Sequence, residues 1–344
     1  MLREATGAAF TGAVARVEAR GTLVFEAAYG TTRDDALARP VFVDTRFDLA
    51  SLTKLFLASV ALKAVDEGLL TLEAPLARSI PDAIPQWKGN AHEAVTLRML
   101  LAHTSGMNSG ADYRELLGDN VQAFALRRAL VAQPGERVVY SDLGFIALGT
   151  MLERLYGASL PTLIARLFPS SNVGYAPRER ERRWIPATEE DAWRGRVQGF
   201  VHDEKAYLMN GVAGHAGLFG TASDVAALTE SMLASRLGRA SRLPPVLSQP
   251  LAVAATSEAA YDPVLRRALG WALKTSDDNS CGRAFSMESF GHTGFTGTCV
   301  WADPERDLQA VLLTNTVYFD RSDSRPLRAA FYDAVVEAMD RSPV

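Results

Sequence analysis

The stretch SFGHTGFTGTCVWADPERDLQAVLLTN, Ser289 to Asn315, decides the fold. It divides into three strand-like segments, SFGHTG, TCVWAD and LQAVLLTN, joined by short connections, one of which carries the turn signal Asp303-Pro304-Glu305. Connections this short make the strands antiparallel, because a parallel pair needs a crossover of a dozen or more residues. A fourth such segment, GWALK at 270–274, precedes them. Far upstream, GAVARVEA and TLVFEAAYG alternate apolar and polar residues on both sides of Arg20-Gly21, the pattern of a hairpin. Two strands alone are marginal in water, so this hairpin is expected to pair with the C-terminal strands.

Such pairing makes the sheet discontinuous. From Ser51 to Glu67 apolar residues recur at Leu52, Leu55, Phe56, Val60 and Leu62, with Gly68 placed to stop a helix, so Ser51 falls in its first turn. LRMLLAH at 97–103, FALRRALV at 124–131 and GFIALGTMLERLYG at 144–157 continue the helical period, and convincing strands are absent from this middle section. Another helix is expected from about Ser223 to Leu237, and a last one opened by Pro326. The expected architecture is α+β and two-lobed. Residues 1–55 and 211–344 form a sheet domain, 56–210 a mainly helical insertion, and Ser51 lies at the seam, where ligand clefts tend to form.

A chain of 344 residues is long enough for two lobes, and 48% hydrophobic with 22% charged residues is ordinary for a globular protein. Net charge is −4, which gives no global basic field to draw in nucleic acid or an anionic membrane surface. The run RERERR at 178–183 interleaves arginine with glutamate and reads as a solvated face. No segment approaches ~20 uninterrupted apolar residues, so no spanning helix is expected. The N-terminus lacks the apolar core of a secretory signal, which points to the cytoplasm; an export sequence removed upstream would point to the periplasm instead. Cys281 and Cys299 are expected to stay reduced.

FDLASLTK, Phe47 to Lys54, puts Ser51 and Lys54 three positions apart on one helical face. A serine hydroxyl is a poor nucleophile until a neighbour takes its proton, and Lys54 is within reach. To act as that base at neutral pH the lysine must be largely unprotonated, which burial or a nearby cation would bring about. The same residues also read as a helix-capping serine and a solvated lysine. A cation in a first turn opposes the helix dipole, which counts mildly against that second reading.

FDLASLTK at 47–54, TLRMLLAHTSGM at 96–107, YSDLGFIALG at 140–149, GVAGHAGLFGTASDVA at 211–226 and FGHTGFTGT at 290–298 occur in one order across most of the chain. In that combination the sequence resembles the serine β-lactamase and penicillin-binding protein superfamily, especially its class C-like branch with related esterases. The resemblance implies a β-lactamase/transpeptidase-like fold and an acyl-enzyme mechanism without metal or cofactor. It makes Ser51 the acylated nucleophile, Lys54 its proton acceptor or the group that keeps a partner deprotonated, and Tyr140 the second base. A tyrosine, ordinarily near pKa 10, acts so only if adjacent cations favour phenolate or protons pass concertedly along a Tyr-Lys-Ser chain. His292, Thr293 and Gly294 take the place of the Lys-Thr-Gly triplet on a strand facing the serine, where a glycine lets substrate lie against the backbone. The backbone N–H groups of Ser51 and Phe295 would form the oxyanion hole.

Two departures bear on substrate. Asp142 stands where the branch has asparagine, and an ionised carboxylate can only accept hydrogen bonds, which disfavours holding an acylamido carbonyl. His292 gives up a permanent charge that would hold a substrate carboxylate. Both favour neutral esters over penicillins and terminal peptides. The expected partner is therefore a small ester, with a peptide-like substrate of a D-amino-acid peptidase or weak β-lactamase as the alternative. An acyltransferase would differ only in what attacks the acyl-enzyme, and a non-catalytic binding protein of this fold would need none of Ser51, Lys54 and Tyr140.

His202, Asp203 and His215 follow no metal-ligand spacing, so no metal is expected there; the resemblance of their loop to a cleft-lining loop in one subset of the family implies that His202 is a substrate contact, with a structural hydrogen-bond role as the alternative. His92 and His103 read as structural. Lys274-Thr275-Ser276 mimics the lysine triplet but lacks its glycine. No Gly-x-Ser-x-Gly motif and no phosphate-binding glycine loop is present.

Overall fold

The computed structural model describes residues 1–110, 112–241 and 244–341. The N-terminal hairpin comprises β1 (Gly12–Ala19) and β2 (Thr22–Gly30). Arg20 and Gly21 between them both take positive φ, 51° and 69°, the two-residue turn whose twist suits a hairpin. Helix α1 (Thr53–Asp66) follows, then α2 (Val121–Arg127), α3 (Asp142–Tyr156), α4 (Leu160–Leu167) and α5 (Ala222–Leu237). Four C-terminal strands, β3 (Ala272–Leu273), β4 (Phe290–Thr293), β5 (Cys299–Asp303) and β6 (Leu308–Thr314), precede the last helix, α6 (Arg325–Arg341).

The sheet order is β2-β1-β6-β5-β4-β3, antiparallel throughout. As the alternation predicts, β1 pairs with β6, from Ala13 opposite Thr314 to Ala19 opposite Leu308. Period-2 alternation sends the two faces into separate cores. Val14, Val300, Val311 and Leu313 join the larger core with α1, α3 and α5, whereas Ala15, Val17, Trp301 and Leu312 pack against Phe331, Tyr332, Val335 and Val336 of α6. The sheet is thus the middle of three layers. Cys281 and Cys299 are free, buried thiols.

Helix α1 is buried nearly all round, including Leu55, Phe56 and Leu62, so it is a central rather than a surface helix. Ser141 caps α3, its Oγ accepting from the Gly144 N–H at 2.7 Å, and Gly157 closes that helix in the left-handed conformation. The middle section carries some strand as well as helix. Gly174–Tyr175 and Phe47–Asp48 flank Leu218–Gly220, and Glu189–Asp191 pairs with Gly195–Val197. These pieces are two or three residues long, too short for a period to register in sequence. No helix among the described residues is long and apolar enough to cross a membrane.

Candidate active site

Ser51 lies in a short 3-10 turn, Ala50–Leu52, that runs directly into α1. The turn is held under constraint. Ala50 has φ of 45°, a left-handed conformation costly for any residue with a Cβ. Asp48, wholly buried, accepts from the Ala50 N–H at 2.8 Å and the His202 N–H at 2.6 Å. Thr296 Oγ1 donates to the Asp48 carbonyl, Thr298 Oγ1 to the Leu49 carbonyl, and the Leu49 N–H to the Leu218 carbonyl. Burial pushes the Asp48 carboxyl up to about 6 despite the two N–H bonds it accepts.

Lys54, one turn later, is fully buried and donates to Ser51 Oγ at 2.9 Å, Asp142 Oδ1 at 2.8 Å and the His215 carbonyl at 3.3 Å. Burial alone would push its ammonium down, but the charge of Asp142, together with Tyr140, outweighs burial and holds Lys54 above the ordinary lysine value. Burial pushes the Asp142 carboxyl up in turn, and the Lys54 charge brings it below its ordinary range. The geometry is that of a buried ion pair, with Lys54 Nζ 2.8 Å from Asp142 Oδ1. Asp142 Oδ2 lies 3.5 Å from Lys205 Nζ, so both its oxygens face lysines, and this is where the departure from asparagine is spent.

Tyr140 lines the cleft with Ser51, and Lys54 Nζ sits 4.8 Å from its ring centroid. Behind it His103, itself at a positive φ of 59°, packs its ring 4.5 Å away and accepts the Ser141 N–H on Nδ1 at 3.0 Å. His103 is therefore a shelf for the tyrosine. The guanidinium of Arg267 also lies 5.0 Å from the Tyr140 ring centroid, 6% exposed, with Nε unpartnered among the described residues. Arg267, Tyr140, His292 and Thr293 surround a small cavity of about 80 Å³.

His292 and Thr293 end β4, opposite Val300 and Cys299. His292 is buried and donates through Nδ1–H to the Thr293 carbonyl at 2.8 Å; burial, then the charges of Arg267 and Lys54, push it down to about 3. It is a neutral ring. At Gly294 a Cβ would stand 2.8 Å from the Leu49 carbonyl oxygen, 3.2 Å from Ala50 Cβ and against Thr298 Oγ1. The glycine is thus required by the serine turn itself, which presses on the strand, rather than by substrate alone. Neither the Ser51 nor the Phe295 N–H donates to any acceptor among the described residues, and the cleft of about 430 Å³ is lined by Ser51, Tyr140, Thr293, Gly294 and Phe295, with Arg321 and Arg328.

A family model described as Beta-lactamase matches residues 2–333. The chain belongs to the β-lactamase family. It is 31% identical to N-acetylmuramyl-L-alanine amidase of Bacillus subtilis (strain 168), over 92% of this chain and 79% of that protein. With esterase EstB of Burkholderia gladioli it shares 28% identity over 94% of this chain and 90% of the relative. The solved structure of EstCE1, a hydrolase with promiscuous acyltransferase activity, superposes with a TM-score of 0.75 at 22% identity, covering 95% of this chain and 94% of that one. The protein is a serine hydrolase of the β-lactamase fold.

Within this β-lactamase-family chain His202 stands behind the cleft. It is 3% exposed, its ring stacks on Phe295 at 5.5 Å, and burial pushes it down to about 4. His202 is absent from the residues that line the cleft, so the structure brings it to the site without exposing it there. Asp142, Asp203 and His215 do converge within 4.8 Å, but the Lys54 and Lys205 ammonium groups already occupy their acceptors, and His215 Nε2 bonds Asp203 at 2.8 Å. That donor set suits two lysines better than a metal ion. Lys274, the triplet mimic, is buried with Nζ donating to the carbonyls of Arg283 at 2.9 Å and Phe285 at 2.7 Å, and serves to tie a loop. A larger hollow of about 720 Å³ on the helices holds His92, whose ring nitrogens meet Asn90 and the Arg128 carbonyl.

Sequence reasoning missed Asp48, Lys205, Arg267 and Arg328. Asp48 stands inside FDLASLTK, and a buried acid two residues before a strained turn is a signal that could have been read. The three cations come from segments without a motif.

Proposed function

We propose that this hydrolase cleaves small carboxylic esters through an acyl-enzyme on Ser51. The observation that carries the reading is Lys54, held charged between Ser51 Oγ and Asp142 while Tyr140 lines the same cleft. A protonated lysine cannot take the serine proton, so the base is Tyr140 acting as the phenolate, with the Lys54 ammonium orienting Ser51 Oγ and meeting the negative charge on the phenolate oxygen until the serine proton neutralises it. Ser51 Oγ attacks the ester carbonyl, its proton passes to Tyr140, and the carbonyl oxygen becomes an oxyanion facing the Ser51 and Phe295 N–H groups. Collapse breaks the ester C–O bond, and Tyr140 returns the proton to the leaving alkoxide. Water then repeats the sequence on the acyl-serine and frees the acid.

Asp142 committed to two lysines, a neutral His292 and similarity to EstB along nearly the whole of both chains support the ester reading. The cleft is assigned to the seam between the sheet lobe, 1–55 and 211–344, and the insertion, 56–210. One observation favours the second reading, a peptidase or weak β-lactamase: Arg267 restores beside Tyr140 the permanent charge that His292 lacks, and a substrate carboxylate could meet it. Intact-mass analysis after exposure to a p-nitrophenyl ester, a penicillin and a D-Ala-D-Ala peptide separates the two. An adduct on Ser51 with the ester alone supports the first reading, and turnover of the ester by a folded Ser51→Ala variant would refute both.

A further inference from the structure

The first turn of α6 carries a buried guanidinium with an unusual task. Arg328 is 8% exposed, and its Nη2 donates to the Gly294 carbonyl at 2.7 Å. No carboxylate pairs with it among the described residues, and its Nε has no partner. A buried arginine without a counter-ion is costly to keep, and a helix anchor could have been built from an uncharged donor at less expense. The bond it makes therefore calls for an explanation beyond packing.

The Gly294 carbonyl and the Phe295 N–H are two ends of one peptide unit. A trans peptide is planar, with C=O and N–H pointing in opposite directions, so fixing one end fixes the other. Arg328 lines the cleft together with Ser51, Gly294 and Phe295, and the Phe295 N–H has no acceptor among the described residues. A charge-assisted bond is about twice as strong as a neutral one and polarises the amide it binds, which makes the opposite N–H a better donor. On the strand side the Gly294 N–H is tied to the Thr298 carbonyl at 2.7 Å, and the Gly294 carbonyl also accepts the Gly297 N–H at 3.2 Å, so Arg328 adds the shorter and only charged bond to a peptide that a turn already holds loosely.

We propose that Arg328 is a positioning residue of the oxyanion hole, orienting and polarising the Gly294–Phe295 peptide so that its N–H meets the developing oxyanion. The inference rests on Ser51 being the acylated nucleophile. Its effect belongs to the transition state, so it should appear in kcat and in the binding of tetrahedral adducts, with KM left alone.

The test compares wild type with Arg328→Met and Arg328→Lys, using a neutral p-nitrophenyl ester, an ester carrying a carboxylate, and an alkyl boronic acid that forms a tetrahedral adduct on serine. Arg328→Met should lower kcat about 10- to 100-fold, less than outright loss of an oxyanion donor. Boronate affinity should fall by the same factor, and KM for the neutral ester should stay within about threefold. Arg328→Lys, whose shorter single-point cation reaches less well, should fall between. It carries the test if the methionine variant does not fold. Methylguanidine should restore part of kcat to Arg328→Ala. Unchanged kcat and boronate affinity in a folded variant overturn the proposal. So does a loss confined to KM for the carboxylate ester, which would make Arg328 a substrate contact. Wild type that forms no boronate adduct on Ser51 overturns the acyl-enzyme reading as well, whereas an adduct with indifferent Arg328 variants overturns this inference alone.

Discussion

Gly294→Ala probes how closely the serine turn and β4 are pressed together. The added Cβ would stand 2.8 Å from the Leu49 carbonyl oxygen, where ordinary contact begins at 3.4 Å, so the strand must retreat from the turn by about 0.6 Å. Thr298 Oγ1 lies nearer still but can turn aside, whereas the Leu49 carbonyl is backbone, held by its N–H bond to Leu218, and cannot. Overpacking of this kind costs about 1–3 kcal/mol of stability. The same retreat carries the Phe295 N–H away from Ser51. A misplacement of about 1 Å costs about 100-fold in rate, so a retreat of this size should lower kcat about 10- to 100-fold. Stopped-flow acylation with a p-nitrophenyl ester reads the rate, and urea unfolding reads the stability. The two losses should come together, with the rate loss far exceeding any change in KM. Wild-type kcat in a Gly294→Ala variant destabilised by the expected amount would refute the claim that this contact sets the spacing of the two N–H groups.

Three further outcomes follow from the charges around the site. Asp142→Asn leaves burial as the dominant influence on Lys54, so the ammonium should titrate at lower pH and the alkaline limb of the acylation profile should move down; an unmoved limb would count against the ion pair as its support. Lys274→Met strands the buried carbonyl of Phe285 and frees the half-buried one of Arg283, and should cost about 1–3 kcal/mol in urea unfolding with kcat unchanged, whereas a loss of activity in a folded variant would return the triplet role to Lys274. Burial depresses His292 to about 3 and His202 to about 4, so the unfolded chain binds protons that the fold does not; the stability they contribute is complete above pH ~6.5 and drains away as pH falls toward 3. Asp48, raised to about 6, acts oppositely between its ordinary value and pH 6, so unfolding midpoints of His292→Asn should lose less than wild type does between pH 7 and pH 4.

What could be read in the sequence was local or repeated. The alternation of β1 and β2, the Asp303-Pro304 turn and the Ser51–Lys54 spacing each express a period or a turn that the chain carries within a few residues. The Ala50 conformation could not be read this way, because alanine does not favour positive φ and only Asp48, Thr296, Thr298 and Leu218 together hold it there. His202 looked like a cleft residue because its loop reaches the site, but the exposed Phe295 ring covers it.

The charges show the same division more sharply. Taken letter by letter, Asp142 loses a donor and His292 loses a cation, and the cleft becomes a place for neutral substrates. In the fold Asp142 gains Lys205 as a second partner, and a cation reappears on Arg267, 5.0 Å from the Tyr140 ring centroid. Neither compensation has a motif, since a lysine on a short helix and an arginine on a loop acquire meaning only by arriving within a few ångströms of Asp142 and Tyr140 respectively. A departure from a family pattern therefore sets which charge has to be supplied, and the tertiary structure decides which element supplies it. For this chain the consequence is specific: under the proposed function, substrate preference turns less on His292 than on whether Arg267 faces Tyr140 alone or a carboxylate on the bound substrate.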